Sequence, residues 1–262
     1  MSSLSPYLSL IVPAFNESAT IVRTLGAMRS YLGRQNWAWE VIVCADGNDG
    51  TRERAVEFCK DDDRFAVMGS PQRQGKGRGV REGVMRSNGQ IIGFLDADYK
   101  TPIEEIEKVL PSFAEGYDVV IGSRRVGAAR VEIAQPIYRR AGSRVFNLLM
   151  RGVMGLPSVH DTQCGFKFFT QSAAHHLFSL QRIDGYMFDV EVLRLCKMLR
   201  LRVKETGVRW ADDGDSRYDP IGGTIRNAKE LLRIRRMRYE LPAIAREIQP
   251  ASIPQRPKRF AA

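Results

Sequence analysis

Over the first 125 residues, short apolar runs alternate with stretches of helical period, a pattern that predicts βαβ units on a mostly parallel sheet. The runs Leu8–Val12, Glu40–Ala45, Phe65–Met68, Ile91–Leu95 and Asp118–Ile121 read as strands. Amphipathic stretches at about 18–33, 51–60, 76–87 and 102–115 read as the helices between them. Thr101-Pro102 has the form of an N-cap followed by proline at the first helical position, with Glu104 and Glu105 in the first turn. After residue 125 the pattern loosens. Residues 136–156 are basic and apolar at helical spacing, Phe166–Phe169 reads as a strand, 187–200 as a helix, 202–210 as a strand and 221–247 as a basic helix. The final stretch, 248–262, carries three prolines and is expected to be a flexible end. There is no internal repeat. The expected architecture is one α/β domain with a Rossmann-like sheet, its half up to about residue 125 binding a nucleotide and 126–247 supplying the acceptor side.

Composition narrows this only a little. The chain has 262 residues, 44% hydrophobic and 27% charged, which is globular and excludes the disordered class. No uninterrupted apolar run reaches the ~18 residues of a membrane span. The first apolar run follows no basic region and stops at Pro13, so it reads as a strand and not as a signal peptide. A cytoplasmic protein is expected, soluble or held on a membrane surface. Cys44, Cys59, Cys164 and Cys196 have no paired spacing and read as free thiols of a reducing compartment. His160, His175 and His176 match no zinc spacing. A net charge of +10 favours nucleic acid, an anionic membrane or phosphorylated substrates without choosing among them.

The sharpest local signal is Asp96-Ala97-Asp98, directly after the apolar run 91–95. Ligands of open parallel sheets bind beyond the carboxyl ends of the strands. Two acids there can hold Mg²⁺ or Mn²⁺, which would neutralise a departing diphosphate; the other reading is an acidic turn that caps a helix. Gln74-Gly75-Lys76-Gly77-Arg78-Gly79 offers backbone approach and positive charge to a phosphate, or is simply a flexible basic loop. Pro13-Ala14-Phe15-Asn16-Glu17, with Asn16 or Ser18 as a possible cap, and Asp46-Gly47-Asn48-Asp49-Gly50 end the first two strands. Joint position is the evidence: three polar motifs end successive strands on one sheet edge. Arg124, in Gly122-Ser123-Arg124-Arg125, suits a diphosphate through bidentate contacts. Asp161, Asp189 and Glu191 are candidates for a general base. Asp189 and Glu191 stand two apart on a helix, so at most one points into a given site.

In this order the motifs resemble inverting family-two glycosyltransferases of the GT-A fold, and among them the polyprenyl-phosphate sugar synthases, dolichyl-phosphate glucose synthases in particular. PAFNE at 13–17, GKGRGVREG at 75–83, DAD at 96–98, GSR at 122–124, DTQCGFKFF at 161–169 and FDVEVL at 188–193 carry the resemblance, which runs from Leu8 to about Arg236. It implies that Pro13, Ala14, Asn16 and Glu17 line a nucleoside pocket with Asp46 near the base. Lys76 would hold the nucleotide, Asp96 would face the ribose or sugar, and Asp98 would bind the metal. Arg124 would approach the donor or the acceptor phosphate, and Asp161, Gln163 and Lys167 would form the acceptor side. Ser216 and Arg217 would close over the diphosphate. The family usually places paired aspartates before glycine at the end of the second strand; here the stretch is Cys44-Ala45-Asp46-Gly47.

The reaction so implied is inverting transfer of a hexose, glucose in the first place, from a UDP-sugar to a polyprenyl phosphate. A soluble enzyme of the same family acting on a small molecule or peptide is the alternative. Two stretches suit an anionic membrane surface: 136–156, and Arg226 to Arg238, where six basic residues face one acid, Glu230. The same stretches also read as core-facing helices with a solvated basic face. A nucleic-acid-binding protein is disfavoured, because no such motif occurs and the charge is spread along the chain.

Overall fold

In a computed structural model, which describes residues 5–127, 129–133, 150–211 and 220–241, the apolar runs become one seven-stranded sheet. Its strands are β1 (Leu8–Phe15), β2 (Trp39–Asp46), β3 (Phe65–Met68), β4 (Ile91–Leu95), β5 (Val119–Ser123), β7 (Phe166–Thr170) and β8 (Val203–Gly207). A separate pair joins β6 (Arg130–Ile133) to β9 (Arg209–Ala211). The order is β3-β2-β1-β4-β7-β5-β8. All neighbours run parallel except β7, which is antiparallel to both β4 and β5. Burial on both faces explains why β1, β4 and β5 read as nearly continuous apolar runs and not as alternating ones.

Because successive side chains point to opposite faces, each strand feeds two cores. Leu8, Leu10 and Val12 pack with helices α1 (Ile21–Leu32), α2 (Thr51–Cys59) and α4 (Ile106–Ala114). Ile11, Ile42, Ile92 and Phe94 face α3 (Lys76–Arg86), α5 (Gln171–Leu180), α6 (Phe188–Met198) and α7 (Pro220–Arg236). Of α7, Asn227, Leu231 and Ile234 are buried, which leaves Arg226, Lys229, Arg233, Arg235 and Arg236 outward with Leu232 among them, 52% exposed. Among the described residues no helix is long and apolar enough to cross a membrane.

Several expectations shift. Helix α5 has no counterpart in the sequence reading; it starts where the Thr170 hydroxyl accepts the Ala173 amide at 3.3 Å. The single strand expected at 202–210 is two strands in different sheets, split at Val208, whose N–H goes to Ser123 while its carbonyl accepts from Arg130. Thr101 is not the cap of the following turn: Pro102, extended at φ −61° and ψ 143°, holds that place ahead of a 3₁₀ turn, Ile103–Glu105. Neither Asn16 nor Ser18 caps α1, where Thr20 stands at the N-cap. Within 136–156, residues 150–154 are helical with Met150 and Met154 buried in the core; 136–149 lie outside the described residues. The last basic helix ends at Arg236, and 242–262 also lie outside the described residues.

Candidate active site

The carboxyl ends of β1, β2 and β4 converge because Phe15 pairs with Asp46 and Ile11 with Phe94 in a parallel register. A cavity of about 190 Å³ opens beyond them. Pro13, Ala14, Phe15 and Glu17 form one side, Asp46 and Cys44 the next, Asp96 and Asp98 the third, and Lys76 at the start of α3 reaches across. Two residues at this edge hold left-handed backbone: Asn16 at φ 55° and Tyr99 at φ 58°. For a bulky side chain such as Tyr99 this costs on the order of 1–3 kcal/mol, and it turns the chain sharply between Asp98 and Lys100.

Asp46 builds the wall. Its two carboxylate oxygens accept the backbone amides of Ser70 at 3.1 Å and Gln74 at 2.8 Å, which folds 70–74 over the cavity mouth. Arg73 of that loop lies over the rings of Phe15 at 4.6 Å and Tyr186 at 5.6 Å and donates to the Tyr186 hydroxyl at 3.2 Å. Gly75, at φ 108°, could carry no side chain: a Cβ would lie 2.3 Å from the carbonyl oxygen of Asp184. Gly75 and Gly77 therefore serve close packing on the protein's own 183–188 segment. Arg78, the motif's other cation, pairs with Glu82 and Gln74.

Charges alternate from the cavity inward. The Lys76 ammonium lies 2.5 Å from Asp96. Burial works against that ammonium, but the carboxylates of Asp96 and Asp189 outweigh it and hold the group protonated above its ordinary range. Burial, then the neighbouring Asp96 carboxylate, push Asp98 up, with Lys100 opposing at 3.3 Å. Behind Asp96, the fully buried Lys167 donates to Asp189 at 2.6 Å and to the Cys164 carbonyl at 2.7 Å. Burial pushes the Asp189 carboxyl up despite Lys167 and Lys76. Asp161 takes the Arg124 guanidinium in a two-pronged contact, 2.8 and 2.9 Å, and the Arg124 amide at 3.0 Å. Burial opposes ionisation there, yet Arg124 holds the Asp161 carboxyl down at about 2.

The expected residues thus form two neighbouring groups. Pro13, Ala14, Glu17, Asp46, Lys76, Asp96 and Asp98 line the cavity; Asn16 sits at its rim, against Gly47. Arg124, Asp161, Lys167 and Asp189 form the second group, with the Gln163 amide 3.4 Å from Asp161. The two groups touch at Gly165, whose carbonyl accepts the Asp96 amide at 3.2 Å. Glu191 points elsewhere, accepting the amides of Arg182 and Ile183 and the Tyr239 hydroxyl, as the two-residue spacing required. Ser216 and Arg217 lie outside the described residues. Sequence reasoning missed Arg73 and Tyr186 as lining residues, since neither belongs to a motif; Phe15 lay within one, and its place at the end of the first strand was the available signal. All four cysteines are free and buried.

Two carboxylates beyond a strand end and a lysine at a helix start thus face one cavity at the carboxyl edge of a parallel sheet, the place where α/β enzymes bind their ligands. The model of Glycosyl transferase family 2 matches residues 9–178, and the chain belongs to that family. A dolichyl-phosphate beta-glucosyltransferase of Trichomonas vaginalis is 34% identical over 87% of this chain and 70% of its own. A human protein of the same name is 31% identical over 88% and 75%. Among solved structures, glucosyl-3-phosphoglycerate synthase from Mycobacterium tuberculosis, in complex with Mn²⁺, uridine diphosphate and phosphoglyceric acid, superposes with a TM-score of 0.65. Its identity is 20%, covering 87% of this chain and 77% of that one, and the likeness is one of fold.

Proposed function

We propose that the chain transfers glucose from UDP-glucose to a polyprenyl phosphate of the dolichyl type, with inversion at the anomeric carbon. The observation that carries the reading is the Lys76–Asp96–Asp98 edge facing a cavity walled by the ends of β1 and β2. Relatives bearing the dolichyl-phosphate beta-glucosyltransferase name support the acceptor and the sugar.

Among the described residues, no three His, Cys, Asp or Glu side chains gather into a cage. Two hard oxygen donors with room beside them nevertheless fit Mg²⁺ or Mn²⁺, which keep several positions for phosphate and water. Burial first, and the Asp96 carboxylate second, raise the Asp98 carboxyl, and a divalent cation would offset both. Asp98, with Asp96, would hold that ion, which supplies Lewis-acid stabilisation of the leaving diphosphate.

Residues 13–17 receive the nucleoside, and Asp46 holds the loop against which the base lies. Lys76 stays protonated, so it binds phosphate charge and does not act as a base. Asp161 is likewise no base: with its carboxyl near 2 and bound to Arg124, it orients that arginine toward the donor or acceptor phosphate. Asp189, with Lys167, fixes the inner wall on the acceptor side, where Gln163 also stands. An acceptor phosphate is already anionic and needs no proton removed. Ser216 and Arg217 complete the diphosphate site in this reading. The outward basic face of α7, around Leu232, rests on an anionic membrane, on its cytoplasmic side. Each Lys or Arg near such a surface contributes about 1 kcal/mol.

Asp98→Ala tests the metal assignment. Mn²⁺-dependent binding of UDP, followed by calorimetry, is expected to fall at least ~100-fold; undiminished Mn²⁺-dependent binding would remove Asp98 from the metal site.

A further inference from the structure

One carboxylate near the site is given over to backbone. Glu205 stands in mid-β8, opposite Ile121 of β5, with its side chain 9% exposed. Its Oε1 accepts the Asp161 amide at 2.8 Å; its Oε2 accepts the His160 amide at 2.8 Å and lies 3.0 Å from His160 Nδ1. These two amides precede β7, where the sheet ladder offers them no acceptor. Two successive N–H groups converging on one carboxylate fix both the position and the heading of the chain at Asp161.

That heading matters twice over. Asp161 presents its carboxylate edge-on to the Arg124 guanidinium and also accepts the Arg124 amide. Arg124 stacks over Trp210 of β9 at 5.4 Å, and its charge interacts with Asp96. Four residues beyond Asp161, Gly165 abuts the Asp96 carboxylate closely enough that a Cβ would lie 2.0 Å away. The loop 161–165 therefore sets Arg124 on one side and Asp96 on the other, and Glu205 holds its first residue.

We propose that Glu205 is a positioning residue for sugar transfer, acting through Asp161 to present Arg124 to the phosphates. This rests on the glycosyltransferase reading. A neutral amide cannot replace the carboxylate, because Glu205→Gln turns an NH₂ group toward one of the two backbone donors.

The test compares Glu205→Gln, Asp161→Asn, the double variant and His160→Ala. It uses Mn²⁺, UDP-glucose and a short polyprenyl phosphate, with kcat and KM measured separately and melting temperature recorded. Amide exchange is followed in a peptide covering 156–166. Glu205→Gln is expected to lose roughly 10- to 100-fold in kcat/KM, the range found for partners that orient a reacting site. The double variant is expected to be no worse than Asp161→Asn alone, since both changes break one chain of contacts. His160→Ala keeps both backbone bonds to Glu205 and should stay close to wild type. Exchange at 160–161 should quicken in Glu205→Gln. Wild-type kcat/KM in Glu205→Gln, multiplying losses in the double variant, or a loss that tracks only the unfolded fraction would overturn the proposal. Should the wild-type protein transfer no sugar, the functional reading fails first; unchanged exchange at 160–161 would then still refute the positioning role.

Discussion

Replacing Gly165 with alanine adds one methyl group and reaches the reaction through a single carboxylate. A Cβ there would lie 2.0 Å from Asp96 Oδ2, 2.3 Å from Cγ and 2.5 Å from Oδ1. Ordinary contact begins at 3.4 Å, so the carboxylate must retreat by about 1.4 Å. The backbones cannot part easily, because the Asp96 amide donates to the Gly165 carbonyl at 3.2 Å. The movement falls on the Asp96 side chain and so disturbs its 2.5 Å contact with Lys76. Misplacing a catalytic group by about 1 Å costs on the order of 100-fold, or close to 3 kcal/mol of transition-state stabilisation. The fold should tolerate the change, since Asp96 is 38% exposed and can turn toward solvent. The assay is steady-state transfer at saturating Mn²⁺ together with thermal melting. Wild-type kcat/KM in a folded Gly165→Ala protein would refute the reasoning, as would a loss explained by unfolding alone.

Further outcomes are expected elsewhere. Asp161 titrates near 2 in the fold against 3.8 ordinarily, so its contribution is complete above about pH 4 and is lost as pH falls toward 2. At about 1.4 kcal/mol per pH unit this amounts to roughly 2 kcal/mol, and denaturant titrations should find that acid limb flattened in Asp161→Asn. Tyr239→Phe removes a 2.7 Å hydrogen bond to the buried Glu191. Urea unfolding should register a loss of roughly 2 kcal/mol with kcat/KM unchanged, because Glu191 does not line the cavity and keeps its bonds to the Arg182 and Ile183 amides. Reversing Arg233 and Arg236 to glutamate should abolish sedimentation with anionic vesicles while leaving UDP affinity intact; undiminished sedimentation would take α7 off the membrane.

Where one local cause decides an element, the sequence disclosed it. Phe65–Met68 and Ile91–Leu95 match their strands residue for residue; Ile91–Leu95 is buried throughout and therefore apolar throughout, while the edge strand Phe65–Met68 is short and bounded by polar residues. The three motifs that end β1, β2 and β4 could be placed on one edge because parallel strands point their carboxyl ends the same way. Decisions made by distant partners were hidden. The antiparallel insertion of β7 between β4 and β5 depends on pairing across more than 40 residues, which periodicity does not encode. The split at Val208 is set by hydrogen bonds to Ser123 and Arg130 on other strands. Within the site, the acids of DAD were legible as residue types at a strand end. Their counter-charges were not: that Lys167 meets Asp189 and Arg124 meets Asp161 follows from the register of β7 and the course of 161–165. The glycines around Lys76 were legible as close approaches, while their partner, the 183–188 segment, was not.

Incubating the purified protein with Mn²⁺ and UDP-glucose, with and without a short polyprenyl phosphate, tests the central claim most directly. The expected result is UDP release and a glucosyl-lipid product that require both metal and polyprenyl phosphate. Release of UDP indifferent to the lipid, with sugar passing to water or to a soluble acceptor, would contradict the assigned acceptor, and no metal-dependent turnover of any nucleotide sugar would contradict the enzyme itself.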